Sequence, residues 1–176
     1  MGHKHYILKR NNGFTLMETM VTIAIIAILI AVSIPGIAIF MPNYRLKAAV
    51  QDIFSNMQSA KMEAIKANSD YIITFNDASG TSNDSYTLNG PNNTRTVNLA
   101  DYKSGVCYGH PSGSPVITYS DNTPPNSVIF NRRGMVSQID SQEWVYLKNN
   151  KDIYYRVGTS TTGVIKIQRW NGSAFE

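Results

Sequence analysis

The sequence predicts an α+β protein in which one long N-terminal helix packs on an antiparallel β-sheet head. Residues 19–44 carry no charged side chain, and beyond them apolar residues recur at helical spacing. After residue 70, short runs of β-branched and aromatic residues alternate with turn-forming residues. The predicted parts are an N-terminal basic segment (1–13), an apolar helix (14–44) and a head (45–176) with an amphipathic helix (45–68) and a β-rich part (70–176).

The charge of the chain is concentrated at its N-terminus. The net charge is +4 over 176 residues, a length that suits one globular domain with an extension. Lys4, Lys9 and Arg10 precede the apolar run, and without residues 1–13 the chain has 13 basic and 12 acidic side chains. Beyond residue 68 it has nine of each. A general electrostatic attraction of the head to nucleic acid is therefore not expected.

Cysteine and histidine usage predicts neither a disulfide nor a metal site. Cys107 is the single cysteine, so an intrachain disulfide is excluded and a buried free thiol is expected. His110 is the only histidine outside the basic segment, and no Cys/His group has the spacing of zinc ligands. Three loop acids are too scattered to form a calcium-binding loop: Asp77, Asp84 and Asp121. No metal or cofactor is predicted.

The apolar run is long enough to cross a membrane. Its 26 uncharged residues would form a helix of about 39 Å, against a hydrocarbon core of ~30 Å. The basic residues before it predict a cytoplasmic N-terminus with the rest of the chain exported. The alternative is a secretory signal cleaved near residues 33–36. The helical pattern continues past Pro42, which favours a retained anchor.

The N-terminal motif is specific. A short basic leader ends in Gly13, Phe14 begins the sequence Phe-Thr-Leu-x-Glu, and about twenty apolar residues follow. This arrangement resembles the signal of type IV prepilins and type II secretion pseudopilins. The resemblance implies that a prepilin peptidase in the membrane cleaves after Gly13 on the cytoplasmic side and methylates the amine of Phe14. Glycine suits such a cut because it adopts an extended conformation freely. Residues 1–13 would then be the cleaved leader.

Glu18 and Pro35 are the two assembly residues that this resemblance implies. In the family, the matching glutamate pairs with the N-terminal amine of a neighbouring subunit. A lone buried carboxylate is costly, whereas one paired with an amine is compensated. The alternative is that Glu18 only reaches the lipid headgroups. The family commonly has a proline at the place of Pro35, where the helix bends or melts during packing, and Pro42 is also expected to loosen the helix.

An amphipathic helix follows residue 44. Its apolar residues recur every three or four positions: Leu46, Ala49, Val50, Ile53, Met57, Ala60, Ala64 and Ala67. We expect this stripe to pack on the protein's own sheet; the alternative is a face for a partner or a membrane surface. Residues 68–70, Asn-Ser-Asp, are a plausible end of the helix.

The remainder of the chain reads as β-structure. The predicted strands are 71–75, 85–88, 128–130, 144–148, 152–158 and 163–170. Residues 159–162 have the composition of a hairpin turn between the last two. Residues 89–126 are rich in Gly, Pro, Asn and Ser, so we expect long connections there with one or two short strands.

Part of the head resembles one family of minor filament subunits. SVIFNRRG contains a Val-x-Phe-x-x-x-Gly segment ending at Gly134, and the closing hairpin carries Gly163. Both features resemble the GspH/FimT family. This implies a minor subunit at or near the tip of a type II secretion pseudopilus or a type IV pilus, and the sequence leaves both systems open. The location that the resemblance implies is the bacterial inner membrane, followed by a periplasmic or extracellular filament. The implied partners are other pilin or pseudopilin subunits and a secreted protein or DNA.

DNA binding is the alternative function. Some relatives take up DNA through basic residues of the closing hairpin, which here offers Lys166 and Arg169. Arg132 and Arg133, in a turn elsewhere in the chain, are further candidates. No arginine directly follows Gly163, and strand alternation places Lys166 and Arg169 on opposite faces.

An enzyme is not predicted. No nucleophile-elbow, phosphate-binding or dinucleotide-binding motif occurs in the sequence.

Overall fold

The computed structural model describes residues 13–78, 83–91, 93–113, 115–119, 124–137 and 142–176. They form helix α1 (Leu16–Ala67), a 3-10 helix (Leu99–Tyr102) and strands β1 (Tyr71–Asn76), β2 (Ser85–Asn89), β3 (Thr94–Asn98), β4 (Cys107–Tyr108), β5 (Ser127–Phe130), β6 (Val136–Ser137), β7 (Glu143–Lys148), β8 (Tyr154–Thr159) and β9 (Ile165–Arg169). The predicted α+β class, a long N-terminal helix followed by antiparallel strands, is confirmed.

The chain divides into two compact units, Met1–Ile39 and Phe40–Glu176. The described part of the first unit is the beginning of α1 with the three residues before it. Helix α1 continues through Pro35 and Pro42, so neither proline ends it. A bend at either position stays a prediction.

The second half of α1 supplies one side of the head's core. The predicted stripe from Leu46 to Ala64 is buried, and it belongs to one hydrophobic cluster with residues of both sheets. The prediction was wrong for Ala67, which is exposed. Ala67 is the last helical residue, and the chain turns away directly after it. Asn68 has a φ of 49°, and the amide of Ser69 donates to the carbonyl of Ala64 at 3.2 Å.

The strands form two antiparallel sheets where the sequence had predicted a sheet without resolving its division. The first has the order β3-β2-β1-β5-β6, and the second has the order β4-β7-β8-β9. Both contribute to the same core: Phe75 and Phe130 come from the first sheet, and Val145 and Leu147 from the second. All the predicted strands exist, and β3 and β4 are the two short strands expected within 89–126. The two-residue strand β6 was not predicted.

A buried carboxylate connects the two sheets. Asp84, directly before β2, has no exposed surface. Its Oδ1 accepts the amide of Ala78 at 2.8 Å, and its Oδ2 accepts the amide of Tyr108 in β4 at 2.7 Å. Its backbone carbonyl accepts the amide of Leu99 at 2.9 Å. Because carboxylate hydrogen bonds to backbone amides are strong in a buried setting, Asp84 fixes β4 beside the first sheet.

Candidate processing and assembly site

The predicted cleavage position lies directly in front of helix α1. Gly13 and Phe14 are exposed, and they precede the first helical residue, Leu16. The hydroxyl of Thr15 accepts the backbone amide of Glu18 at 3.2 Å, which is the hydrogen bond of an N-cap. The Gly13–Phe14 peptide bond therefore lies outside the helix, between two exposed residues.

Thr15 is a residue that the sequence reasoning missed. Its carbonyl also accepts the amide of Thr19 at 3.2 Å, so it begins the helical hydrogen-bond series. The signal was visible in the sequence, because Thr15 and Glu18 stand in the Ser/Thr-x-x-Glu spacing of a capping box. Thr15 determines where the helix starts and therefore how many residues separate the cleavage position from it.

Glu18 lies in the first turn of α1 and is exposed. A carboxylate at this end of a helix is favoured by the partial positive charge of the free backbone amides. Among the described residues, the one ion pair within 4.0 Å joins Lys148 and Asp152, so Glu18 has no basic partner there. In the uncleaved chain Glu18 therefore has no charged amine partner among the residues that the structure describes.

The helix behind Glu18 has the properties of a membrane span. Leu16–Ser33 is the one helical segment in the described residues that is long and apolar enough to cross a membrane. Its mean hydropathy is 2.3, and none of it is buried. A signal sequence can have the same length and composition, so the motif in front of the segment is what distinguishes a retained membrane span from a cleaved signal. Pro35 follows this span within α1.

Three of the four predicted DNA-binding residues lie towards one end of the head. Arg132 and Arg133 are exposed in the turn after β5, where Asn131 Oδ1 accepts the amide of Arg133 at 2.9 Å. Lys166 is exposed on β9, three residues beyond Gly163.

Arg169 lies at the other end of β9. It lines a cavity of about 530 Å³ together with Asp152, Glu176 and Trp170. The ring of Trp170 packs against Phe175 with a centroid distance of 5.0 Å, so it is already engaged with another ring. The four basic residues therefore do not form one continuous stripe, and DNA binding through them stays a prediction.

The two glycines that carry the family resemblance meet in the structure. Gly134 and Gly163 each have a φ of 74°. A Cβ atom on Gly163 would collide with the carbonyl oxygen of Gly134. Lys61 Nζ of α1 donates to the carbonyl of Gly163 at 2.9 Å, and the amide of Val136 donates to the carbonyl of Thr161 at 3.1 Å. This contact, called the glycine junction below, joins one hairpin of each sheet to the helix.

A second unpredicted cluster covers the outer face of the four-stranded sheet. The guanidinium of Arg156 lies 4.0 Å from the ring centroid of Trp144 and 4.5 Å from that of Phe175. The ring of His110 lies 4.4 Å from that of Tyr146. Burial, and to a smaller degree the charge of Arg156, lowers the pKa of His110 below its usual value. The imidazole lies against an aromatic ring and near a cation, so it is part of the packing here.

The described residues offer no candidate metal site, and His110, their one histidine, contacts a neighbouring serine. They contain no group of three or more His, Cys, Asp or Glu side chains that could hold a metal ion. His110 Nδ1 lies 2.8 Å from Ser112 Oγ and accepts the amide of Ser112 at 3.1 Å, which is a local turn contact. Cys107 is buried, and burial, together with the nearby Asp84 carboxylate, raises the pKa of its thiol.

Comparison with known families gives two matches. Residues 8–34 match the family described as prokaryotic N-terminal methylation motif. Residues 49–163 match the family described as Type II transport protein GspH. No significant match was found among curated proteins or solved structures.

These two matches account for both parts of the molecule. The methylation motif includes the last six residues before Phe14, the capped helix start and the apolar span, as expected for a membrane-anchored pilin-like protein. The GspH match extends over more than half of the chain, including most of the core half of α1 and both glycines of the glycine junction. The families concerned are structural subunits rather than enzymes. The chain therefore belongs to the GspH family of type II transport proteins, and it is a pilin-like or pseudopilin subunit.

Proposed function

We propose that this chain is a minor subunit at or near the tip of a type II secretion pseudopilus or a type IV pilus, acting in protein secretion or pilus assembly. The observation that carries the proposal is the start of α1. A capped helix begins immediately behind Gly13–Phe14, and it continues as an exposed apolar span whose only charged residue is Glu18.

In this proposal residues 14–44 anchor the subunit in the inner membrane, with the N-terminus cytoplasmic and the head, 45–176, in the periplasm. The basic residues before the span support this orientation. Once assembled, the subunit would belong to a filament built with other pilin or pseudopilin subunits. The filament's cargo, a secreted protein or DNA, would be a further partner.

Prepilin peptidase would cleave between Gly13 and Phe14 and methylate the new amine. Two features support this assignment: both residues are exposed, and the bond between them lies outside the helix. Thr15 would keep it there, because the helix starts after the N-cap.

Glu18 would act after cleavage, as the fifth residue of the mature chain. Its carboxylate has no basic partner among the described residues, so it is available to the methylated amine of a neighbouring subunit. In the low dielectric of packed helices such a pair is strongly preferred to a stranded charge. Pro35 would let the helix adapt to this packing.

The cleavage proposal is tested by mass spectrometry of the protein extracted from membranes. The expected N-terminus is methylated Phe14, and Gly13→Arg is expected to leave uncut precursor. Asn12→Arg is the matched control, because it adds the same charge beside an intact glycine and should be processed normally. An N-terminus beyond Pro35 would show that the segment is an ordinary secretory signal.

The phenotype of a gene deletion distinguishes a role in type II secretion from a role in a type IV pilus. If the chain serves secretion, loss of the gene abolishes release of secreted proteins while surface pili persist. If it serves a pilus, surface pili are lost while secretion continues. A deletion that leaves both functions intact would contradict the proposal.

A further inference from the structure

The exposed large apolar side chains of the head are not scattered. Beyond Tyr44, those in the described residues are Met62, Ile65, Met135 and Val164, with exposed fractions of 57%, 48%, 43% and 49%. Single exposed apolar residues are normal on a soluble domain. Four that fall around one contact of the fold require an explanation.

All four residues surround the glycine junction. The Ile65 side chain lies so close to Gly134 that a Cβ on this glycine would be 2.8 Å from Ile65 Cδ1. Met135 follows Gly134 directly, and Val164 follows Gly163. Met62 lies three residues before Ile65 on the same side of α1.

Cations border these apolar residues. Arg132 and Arg133 are exposed in the turn that precedes Gly134. Lys61, next to Met62, donates to the carbonyl of Gly163 at 2.9 Å. None of the three has a carboxylate within 4.0 Å among the described residues. Within the described part of the chain, the surface therefore has an apolar centre and a border of cations without a carboxylate partner.

The backbone beneath this surface is held in place. Asn131 Oδ1 accepts the amides of Arg133 and Met135 at 2.9 and 3.1 Å, and the amide of Gly134 donates to the carbonyl of Asn131 at 2.8 Å. These bonds fix the turn, and the bonds of the glycine junction connect it to the closing hairpin and connect that hairpin to α1. The surface is therefore preorganised and loses little entropy when a partner binds.

We infer that these seven residues, the junction patch (Lys61, Met62, Ile65, Arg132, Arg133, Met135 and Val164), dock the head of another filament subunit. The partner face would have an apolar centre bordered by carboxylates. This inference rests on the proposed function. DNA would engage the cations but leave the four apolar side chains in water, whereas a protein face of that composition covers both.

The test uses the full chain in the membrane of its own host. A photo-cross-linking amino acid is placed at Met62 or Val164, and at the exposed Lys103 as the matched control. We expect adducts with another protein carrying a prepilin signal from the two patch positions, and at least tenfold less adduct from Lys103. The double variant Arg132→Glu, Arg133→Glu should lower the patch adducts at least tenfold. Adducts with DNA, equal adducts from Lys103, or none from the patch would overturn the inference.

Filament incorporation separates this inference from the proposed function. Val164→Asp places a charge in the centre of the patch at a half-exposed position, and Thr96→Asp places the same charge on the exposed strand β3. We expect Val164→Asp to reduce recovery in sheared filaments about tenfold, with cleavage and circular dichroism unchanged, and Thr96→Asp to have no effect. Met62→Ser provides a second, uncharged variant with the same expectation.

Wild-type recovery of both patch variants would contradict the junction patch while leaving the proposed function in place. Absence of the wild-type chain from filaments would instead contradict the proposed function itself.

Discussion

The two halves of helix α1 differ in the exposure of their apolar side chains. In the first half, Ile28 and Leu29 are 65% and 61% exposed, as are most of their neighbours. In the second half, Leu46, Val50 and Ile53 are at most 1% exposed. The apolar side chains of the second half are covered by the sheets of the same chain, whereas those of the first half require lipid or other subunits to cover them. One continuous helix thus serves two environments, and the predictions below test each half.

The largest expected effect is on solubility. A fragment of residues 40–176 should be soluble and monomeric without detergent, because most of its large apolar side chains are buried in one core. The full chain should require detergent, since each exposed apolar side chain of the span costs about 1.5–3 kcal/mol in water. Size-exclusion chromatography with light scattering measures both. An insoluble or obligately oligomeric fragment would show that the head is not self-sufficient.

Glu18→Ala should strongly reduce incorporation into filaments while leaving cleavage and membrane insertion intact. Removing one member of a buried pair costs about 3–5 kcal/mol because the other charge is stranded. This corresponds to about two to four powers of ten in an assembly equilibrium. Sheared-filament fractionation with an epitope tag measures it, with a membrane fraction probed for cleavage.

Glu63→Ala is the matched control for this change, because Glu63 is the other glutamate of α1 and is exposed on the head half. It should assemble normally. Normal filament levels of Glu18→Ala would mean that Glu18 only reaches the headgroups.

Gly163→Ala should destabilise the head by about 3 kcal/mol. An added methyl meets the backbone carbonyl of Gly134, and the positive φ is itself strained for alanine. Gly172→Ala isolates the strain, because Gly172 has a φ of 106° with open space around it; its cost should be about 1 kcal/mol. Urea unfolding of the 40–176 fragment measures both. Equal costs would show that the junction contributes nothing beyond its φ angles.

Thr15→Ala should loosen the first turn of α1 by about 1 kcal/mol, because the amide of Glu18 loses its capping acceptor. Hydrogen exchange in detergent micelles should report faster exchange at residues 16–18. Thr22→Ala is the control, since the Thr22 hydroxyl only donates to the carbonyl of Thr19 within the helix. Similar exchange in both variants would contradict a capping role for Thr15.

The smallest effect concerns pH. Because burial lowers the pKa of His110 in the folded head, the unfolded chain binds its proton more readily. The stability that this pKa difference contributes is fully present above the pKa of His110 in the unfolded chain, about 6.5. It is lost as the pH falls through that pKa towards the lower pKa of the folded head. The urea midpoint of the 40–176 fragment should therefore fall below pH 6.5, and His110→Gln should make the dependence shallower. An unchanged slope would contradict this.

The sequence predicted what depends on local pattern. Three- and four-residue spacing identified the buried stripe of α1, and β-branched runs identified strands such as β1 and β7. The capping of α1 by Thr15 was also local and could have been read from its Thr-x-x-Glu spacing.

The features that the sequence did not predict depend on contacts between distant parts of the chain. The division into two sheets depends on which strands pair, and β4 and β6 are only two residues long. The contact of Gly134 with Gly163, and the stacking of Arg156 between Trp144 and Phe175, join residues that no short window contains together. Each glycine was recognised as a motif residue, but the motif did not reveal that they meet.

The tertiary contacts of α1 have a consequence for biosynthesis. Asn149 bonds Asn43 across 106 residues, and Lys61 bonds Gly163 across 102. At the usual rate of about 5–20 residues per second, these partners emerge from the ribosome roughly 5–20 s after the helix residues they contact. During that interval the stripe of α1 has no complete set of sheets to cover it, so the head cannot complete its fold before its closing hairpin has been made.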